Sequence, residues 1–570
     1  MDLWLTNPLE DVFRTSKKPY HGYHNRRIEH RIEIAQNARE SIQLAIHTPE
    51  VTMKEITLEI KEKNGNDDNG VTFDVGGVKL IHNSSNSINI DRKMVRAQLP
   101  GELPQAIIKD KKDSILCRQS GSFFITANTT KDAKPGVYEY DVTIHYGTGK
   151  RNKPASVDYA FTVEVYPVCI PDARDSEYNH VVWTNCCGYS PDADNYKAMV
   201  ETVADAYGIK LFSEEWFELI KNFAIQQKKE RVNVVTVPLY PLLNENIKFG
   251  ENGEYIFDFT LLDRFMDTFM EYGDVKYFCG FHLMSKTNLV IGLDESDNPD
   301  FPLVAYVFKE GHTYENFAWM YMNNEAVWKH LEMYVKGLYN HLKERGLTHM
   351  WLQHVCDEVA GEDAFNTVLK TYKLVHEWAP EFRTIDATWE DSLEKYGSNL
   401  DIHVPQIDIH DLFEEKYTEA LKKNEFDVWS YTCLKPQFEF LSRLDDWKLI
   451  ATRLIHWYNF KNNLKGYLHW SWNLWHYGQP WEDGCISGWP LDGWVVLPDV
   501  ENLNVFETIR QRQCSSGIED LELLKICEKI DSEKTHMLVD ILIARANDFT
   551  LDTDLFFRVR KQLLLMASGK

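Results

Sequence analysis

The chain has 570 residues, a formal net charge of −25, and 44% hydrophobic and 26% charged residues. Its length exceeds what one hydrophobic core organises, so two or three domains are expected, and its acidity repels phosphate backbones, which argues against nucleic-acid partners. No apolar run approaches membrane-spanning length, and the ten scattered Cys contain no CxxC pair, so neither a disulfide framework nor a zinc signature is present.

The N-terminus, MDLWLTNPLEDVFRTSKKPY, lacks a signal-peptide pattern. This fits a cytoplasmic protein, or a periplasmic or secreted one whose leader has been removed. Segments 55–63, 71–82, 121–129, 136–147 and 157–168 then alternate apolar and polar residues between Gly-, Asn- and Asp-rich turns. They predict an N-terminal β-sandwich domain over 1–172, closed by Pro167 and Pro171 at a linker.

From residue 175 the period changes. Short apolar runs at 180–185, 232–239, 277–284, 349–358, 383–388, 401–406, 427–433 and 466–473 predict eight strands. Amphipathic stretches at 214–230, 261–273, 325–346, 364–379 and 446–463 predict helices between them. Eight strands alternating with helices predict a (β/α)8 TIM barrel over 173–500. Helix-to-strand links are short, whereas 285–321 and 474–503 make long strand-to-helix links. Elaboration of the C-terminal face alone marks it as the site. Residues 501–570 read as a helical segment packed on the barrel.

The fourth predicted strand ends in HVCDEVAGED, which puts Asp357 and Glu358 at that face. Glycosidic cleavage needs a proton donor for the leaving oxygen and stabilisation of an oxocarbenium-like centre. Adjacent residues of a strand point to opposite faces, so this pair suits two carboxylates flanking a bond poorly. It suits substrate-assisted hydrolysis, where the sugar's own 2-acetamido oxygen attacks. Glu358 is then the general acid/base and Asp357 the orienter of the acetamido N–H. Tyr431, near the rim of the seventh strand, could donate to the acetamido oxygen. Among Trp470, Trp472 and Trp475 at the end of the eighth strand, at least one is expected to wall the sugar. His282 and Asn233 are candidates for bonding sugar hydroxyls, with burial in barrel layers the alternative. His354 either touches the site or pairs with a buried carboxylate. Asp408 and Asp411 read as solvated loop charges. The chemistry calls for no metal and no organic cofactor.

HVCDE (354–358), FDFTLLDRFMD (257–267), VWSYTCLKP (428–436), GYLHWSWNLW (466–475) with DGWVVLPD (492–499), and ETIRQRQCSSGIEDLELL (507–524) together resemble glycoside hydrolase family 123, the β-N-acetylgalactosaminidases, and related proteins sharing its C-terminal domain. PGVYEYDVTI (135–144) is similar to the last part of the family's β-sandwich. The resemblance implies a sandwich followed by a barrel, and retaining, substrate-assisted removal of β-linked N-acetylgalactosamine from glycans or glycolipids. Asp357 and Glu358 match the family's Asp–Glu pair; Cys356 and Val359 depart from its flanking pattern. Two alternatives stand beside this reading: a glycosidase of different sugar specificity, and a non-catalytic carbohydrate-binding protein.

Overall fold

The computed structural model describes every residue except 20–30, 66–67, 88, 188–202, 288–300, 310–317, 389–391, 424, 476–477, 486–491 and 570. The first 170 residues form ten strands: β1 (Asp2–Thr6), β2 (Ile32–Gln36), β3 (Arg39–Thr48), β4 (Met53–Glu62), β5 (Val71–Asn83), β6 (Gly101–Lys109), β7 (Lys112–Ile115), β8 (Gln119–Thr129), β9 (Gly136–Thr148) and β10 (Lys153–Cys169). They make two five-stranded sheets, ordered β1-β3-β8-β5-β6 and β2-β10-β9-β4-β7. Ile42, Leu44 and Ile125 of the first share a core with Val142, Ile144 and Val163 of the second. All five alternating segments are strands. Alternation does not find β3, because all its residues but Arg39 are buried, with Glu40 and Gln43 among them. The C-terminal helices cover part of its polar side, and the period-2 signal disappears.

Nine strands follow: β11 (Asn179–Val182), β12 (Val234–Val237), β13 (Tyr277–Gly280), β14 (Trp351–His354), β15 (Arg383–Thr388), β16 (Ile402–Pro405), β17 (Asp427–Val428), β18 (Ser430–Thr432) and β19 (Gly466–His469). They form one sheet, ordered β17-β16-β15-β14-β13-β12-β11-β19-β18, with every neighbouring pair parallel. The two end strands, β17 and β18, are consecutive pieces of one segment interrupted at Trp429, so the sheet curls into a nearly closed barrel. Val181, Val234, Cys279, Leu352, Ile385, Val404, Trp429 and Leu468 pack together as a buried cluster drawn from all eight predicted strand regions. Helices α1 (Glu214–Lys229), α2 (Thr260–Tyr272), α3 (Glu325–Glu344), α4 (Glu362–Trp378) and α5 (Leu449–Lys461) match the amphipathic predictions. Much of the long link predicted after the third strand, and part of the one after the eighth, lies outside the described residues. No described helix is long and apolar enough to cross a membrane.

Beyond the barrel come α6 (Ile509–Ile530) and α7 (Thr553–Ala567). Gly517 lets α6 touch α5: a Cβ there would lie 2.6 Å from the Arg453 carbonyl oxygen. That approach brings Asp520 to Arg453 (2.7 Å), which also holds Glu40 of β3 (2.7 Å); Arg560 of α7 binds Asp520 (2.6 Å) and Glu40 (3.3 Å). This buried four-residue ion cluster ties the N-terminal sheets, the barrel and the C-terminal helices together. Burial works against the charge on Glu40, but Arg453 and Arg560 outweigh it and hold its carboxyl at about 2. Removing one member leaves uncompensated buried charge, so Glu40→Gln is expected to cost roughly 3–5 kcal/mol. Because the folded pKa is depressed, that contribution is complete above the ordinary value of 4.5 and fades as pH falls toward 2. Thermal unfolding of both proteins across that window checks it: the gap between them must be widest at neutral pH and narrow in acid.

Candidate active site

Strand β14 ends at His354, so Asp357 and Glu358 lie three and four residues past it, in the loop before α4. Three sets of contacts fix that loop. The carbonyls of His354 and Val355 accept from the N–H groups of Leu283 (3.3 Å) and Met284 (2.9 Å). On the other side, Asp386 of β15 accepts the N–H of Val355 (2.9 Å) and of Cys356 (3.1 Å). The Glu358 N–H then donates to the Ala387 carbonyl (3.1 Å). A carboxylate thus takes the place of a ladder partner where the regular strand stops.

Asp386 is itself held. Tyr372 of α4 donates to it (2.6 Å), and His354 Nδ1 meets it at 3.3 Å. Burial raises the Asp386 pKa, with its donors opposing. Burial also disfavours the His354 imidazolium, but Cys279 and Asp386 outweigh this and push its pKa up to about 10. Both side chains are about 1% exposed.

The pinned loop leaves Glu358 in the left-handed region, with φ 45°. A non-glycine residue there costs of order 1 kcal/mol or more and persists only where surroundings over-determine it. The left-handed turn also removes the strict alternation expected of adjacent strand residues. Tyr431, buried in β18, donates to Glu358 Oε1. The charges of Asp357 and Glu358 both bear on Tyr431 and Cys433 across the barrel mouth. Lys286 Nζ lies 3.5 Å from the Glu358 carbonyl oxygen. Asp357 is half-buried, and no hydrogen bond to its carboxylate is found among the described residues. Its pKa is pushed up to about 7, first by burial and next by the charge of Glu358, with Lys286 and His354 opposing. Two carboxylates this close do not both ionise readily, so the pair keeps one proton near neutrality.

The structure brings Asp357, Glu358, Tyr431, His282 and His354 to this end of the barrel. His282 is half-buried, and its ring centroid lies 4.9 Å from that of His354. Trp470 is half-buried, and its indole N–H donates to the buried Asp492 (2.7 Å), which also binds His469 Nε2 (2.8 Å). Three expectations are corrected. Asn233 precedes β12 at the opposite end of the barrel, where it donates to the carbonyls of Ala173 (2.7 Å) and Tyr178 (2.9 Å) and accepts from His180 N–H (2.8 Å). Its bonding capacity is spent on backbone. Trp472 is fully buried, with its indole N–H on Glu230 (2.8 Å) behind the barrel wall. Trp475 is nearly as enclosed and donates to the Val496 carbonyl (2.9 Å). Asp411 is likewise no solvated loop charge: it is buried and pairs with Arg545 (2.8 Å). The sequence reading missed Asp386, Tyr372, Trp183 and Lys286. A lone acid inside the apolar run RTIDAT was the signal available for the first of these.

His282, His354 and Asp386 present atoms within 4.8 Å of one another, the spacing of a metal site. The donor chemistry fits a metal poorly. Asp386 already accepts two backbone N–H groups, a phenol and an imidazole, which leaves two ring nitrogens as ligands.

A family model described as "Glycoside hydrolase 123, catalytic domain" matches residues 198–527. No curated protein sequence matches the chain. A family 123 glycoside hydrolase from Clostridium perfringens, described in a structural analysis of glycolipid glycan hydrolysis, shares the fold over 100% of this chain and 98% of its own, with TM-score 0.71 and 14% identity. A GH2 β-galacturonidase from Eisenbergiella tayi aligns over 84% of this chain and 69% of its own, with TM-score 0.29 and 10% identity. Together with the carboxylate pair beyond β14, the family match over more than half of the chain identifies it: the protein is a glycoside hydrolase and belongs to family 123.

Proposed function

We propose that this protein is a retaining exo-glycosidase that removes β-linked N-acetylgalactosamine from glycans or glycolipid headgroups by substrate-assisted catalysis. The reading takes the barrel as (β/α)8, with 427–432 as one interrupted seventh strand. It takes 1–172 as the sandwich domain, 173–500 as the catalytic domain and 501–570 as a helical segment packed on it. The observation that carries the mechanism is the unlike treatment of two neighbouring acids: Glu358 is clamped by Tyr431, whereas among the described residues none bonds the Asp357 carboxylate.

An unclaimed acceptor suits an amide N–H. As the acetamido group docks on Asp357, the proton of the pair passes to Glu358, which delivers it to the glycosidic oxygen. The acetamido carbonyl oxygen attacks C1 as the bond to the leaving group breaks, giving a cyclic oxazolinium whose N–H stays on Asp357. Glu358, now a carboxylate, takes a proton from water, which opens the ring at C1 with net retention. Tyr431 bonds the acid/base itself rather than the acetamido oxygen, so its role becomes aiming Glu358. The glycolipid substrate class is supported by the description of the Clostridium perfringens enzyme.

Aryl β-N-acetylgalactosaminide, β-N-acetylglucosaminide and β-glucoside provide the first test. Turnover of the acetamido sugars and their inhibition by a thiazoline are expected; cleavage of the glucoside alone overturns the mechanism. Glu358→Gln should lower kcat roughly 10²–10⁴-fold. Asp357→Asn should lower kcat by a similar factor with KM little changed, because it removes orientation of the attacking group rather than packing.

The pH profile supplies a further check. The monoprotonated pair is the active form, and its remaining proton is held at about 7. The value of kcat/KM should therefore fall as pH rises through about 7. Asp357→Asn removes the group that holds that proton, so the alkaline limb near 7 should be lost from the residual activity. A limb unmoved by that substitution counts against the shared proton.

A further inference from the structure

Among the described residues, three buried polar atoms inside the barrel mouth have no hydrogen-bond partner: Trp183 Nε1, His282 Nε2 and His354 Nε2. They come from three places in sequence, just past β11, just past β13 and the last residue of β14. Their rings meet inside the barrel mouth. Trp183 lies 5.0 Å from His282 and 5.5 Å from His354, centroid to centroid, and the two imidazoles are 4.9 Å apart. An unpaired buried donor or acceptor costs about 1–3 kcal/mol, and folded proteins keep few of them. These three lie in mutual ring contact beside the acid pair.

We infer that Trp183, His282 and His354 form a hydroxyl-binding subsite for the sugar ring held at Asp357 and Glu358, on the ring edge away from the acetamido group. The donor inventory fits. The indole N–H can only donate. His354 presents Nδ1 to Asp386, which fixes the ring and leaves Nε2 for another partner. Its raised pKa makes Nε2 a second donor. Burial, and then the charges of His354 and Lys286, push the His282 pKa well below its ordinary value, so that ring is neutral and its nitrogens can complement a hydroxyl that already accepts. Two donors and one adaptable group suit a pair of sugar hydroxyls.

The inference rests on a sugar binding at the Asp357–Glu358 rim but not on that sugar carrying an acetamido group. The test compares wild type, Trp183→Phe and His282→Gln on the aryl β-glycoside that wild type cleaves best and on its 4-deoxy and 6-deoxy analogues. Trp183→Phe deletes the N–H and keeps an aromatic ring. Each substitution should lower kcat/KM about tenfold on the parent sugar, the equivalent of one neutral hydrogen bond. On the analogue lacking the matching hydroxyl the loss should shrink to within about twofold. A loss equal on all three sugars assigns these residues a merely structural role, and no loss on the parent shows that the orphaned atoms face water alone; either result overturns the subsite. If the best substrate has no acetamido group, the proposed function fails while the subsite is judged by the same comparison. Calorimetric titration of the free monosaccharide and its deoxy forms makes the comparison without turnover: tenfold weaker binding to the variants supports the subsite, and unchanged binding refutes it.

Discussion

Asp386 supplies the constraint on which the catalytic loop depends. A carboxylate accepts hydrogen bonds without donating any, so it can gather several donors at one point. Here it gathers the N–H groups of Val355 and Cys356, the Tyr372 phenol and the His354 ring. Part of the backbone pairing that β14 loses past His354 is replaced by this side chain, beside the backbone contacts to Met284 and Ala387. The chain is then held tightly enough for Glu358 to remain left-handed and face Tyr431. Loop order and histidine orientation thus both draw on one buried carboxylate of the neighbouring strand.

A second buried set of charges organises the molecule at large. Arg453, Glu40, Asp520 and Arg560 come from a barrel helix, a sheet strand and two C-terminal helices. Such clusters contribute little net stability compared with apolar packing, but they are unforgiving of a missing partner and so specify which surfaces meet. The family match runs to residue 527, within α6, and includes Asp520. The family match thus takes in the helix that carries Asp520. Gln511 on the same helix reaches Glu230 behind the barrel (2.7 Å), alongside Trp472.

Much of the fold was legible because burial imposes periods on sequence. Every apolar run assigned to the barrel contains a strand, and each amphipathic stretch contains a helix, since both patterns follow from one face meeting a core. The pattern failed at β3, where helix packing covers what would otherwise be a polar face. Residue type also misled. Asn233 and Trp472 are polar or aromatic groups near strand ends, which is where ligands bind, yet one sits at the wrong end and the other outside the wall. A strand's sequence gives the order of its residues, while the end and face each one occupies follow from neighbours far along the chain.

The sequence by itself determined the strand–helix alternation and the position of two adjacent acids past the fourth strand. These are local properties, written in periodicity and spacing. Only the tertiary structure decided that the two acids are treated differently. That difference arises because Tyr431, 73 residues away, is brought to the Glu358 carboxylate. It likewise decided that Trp183, His282 and His354 meet inside the barrel mouth, since only barrel closure carries the ends of separated strands into contact. Hydrogen bonding and the mutual repulsion of charges act over a few ångströms, and those distances are set by the fold rather than by the order of residues.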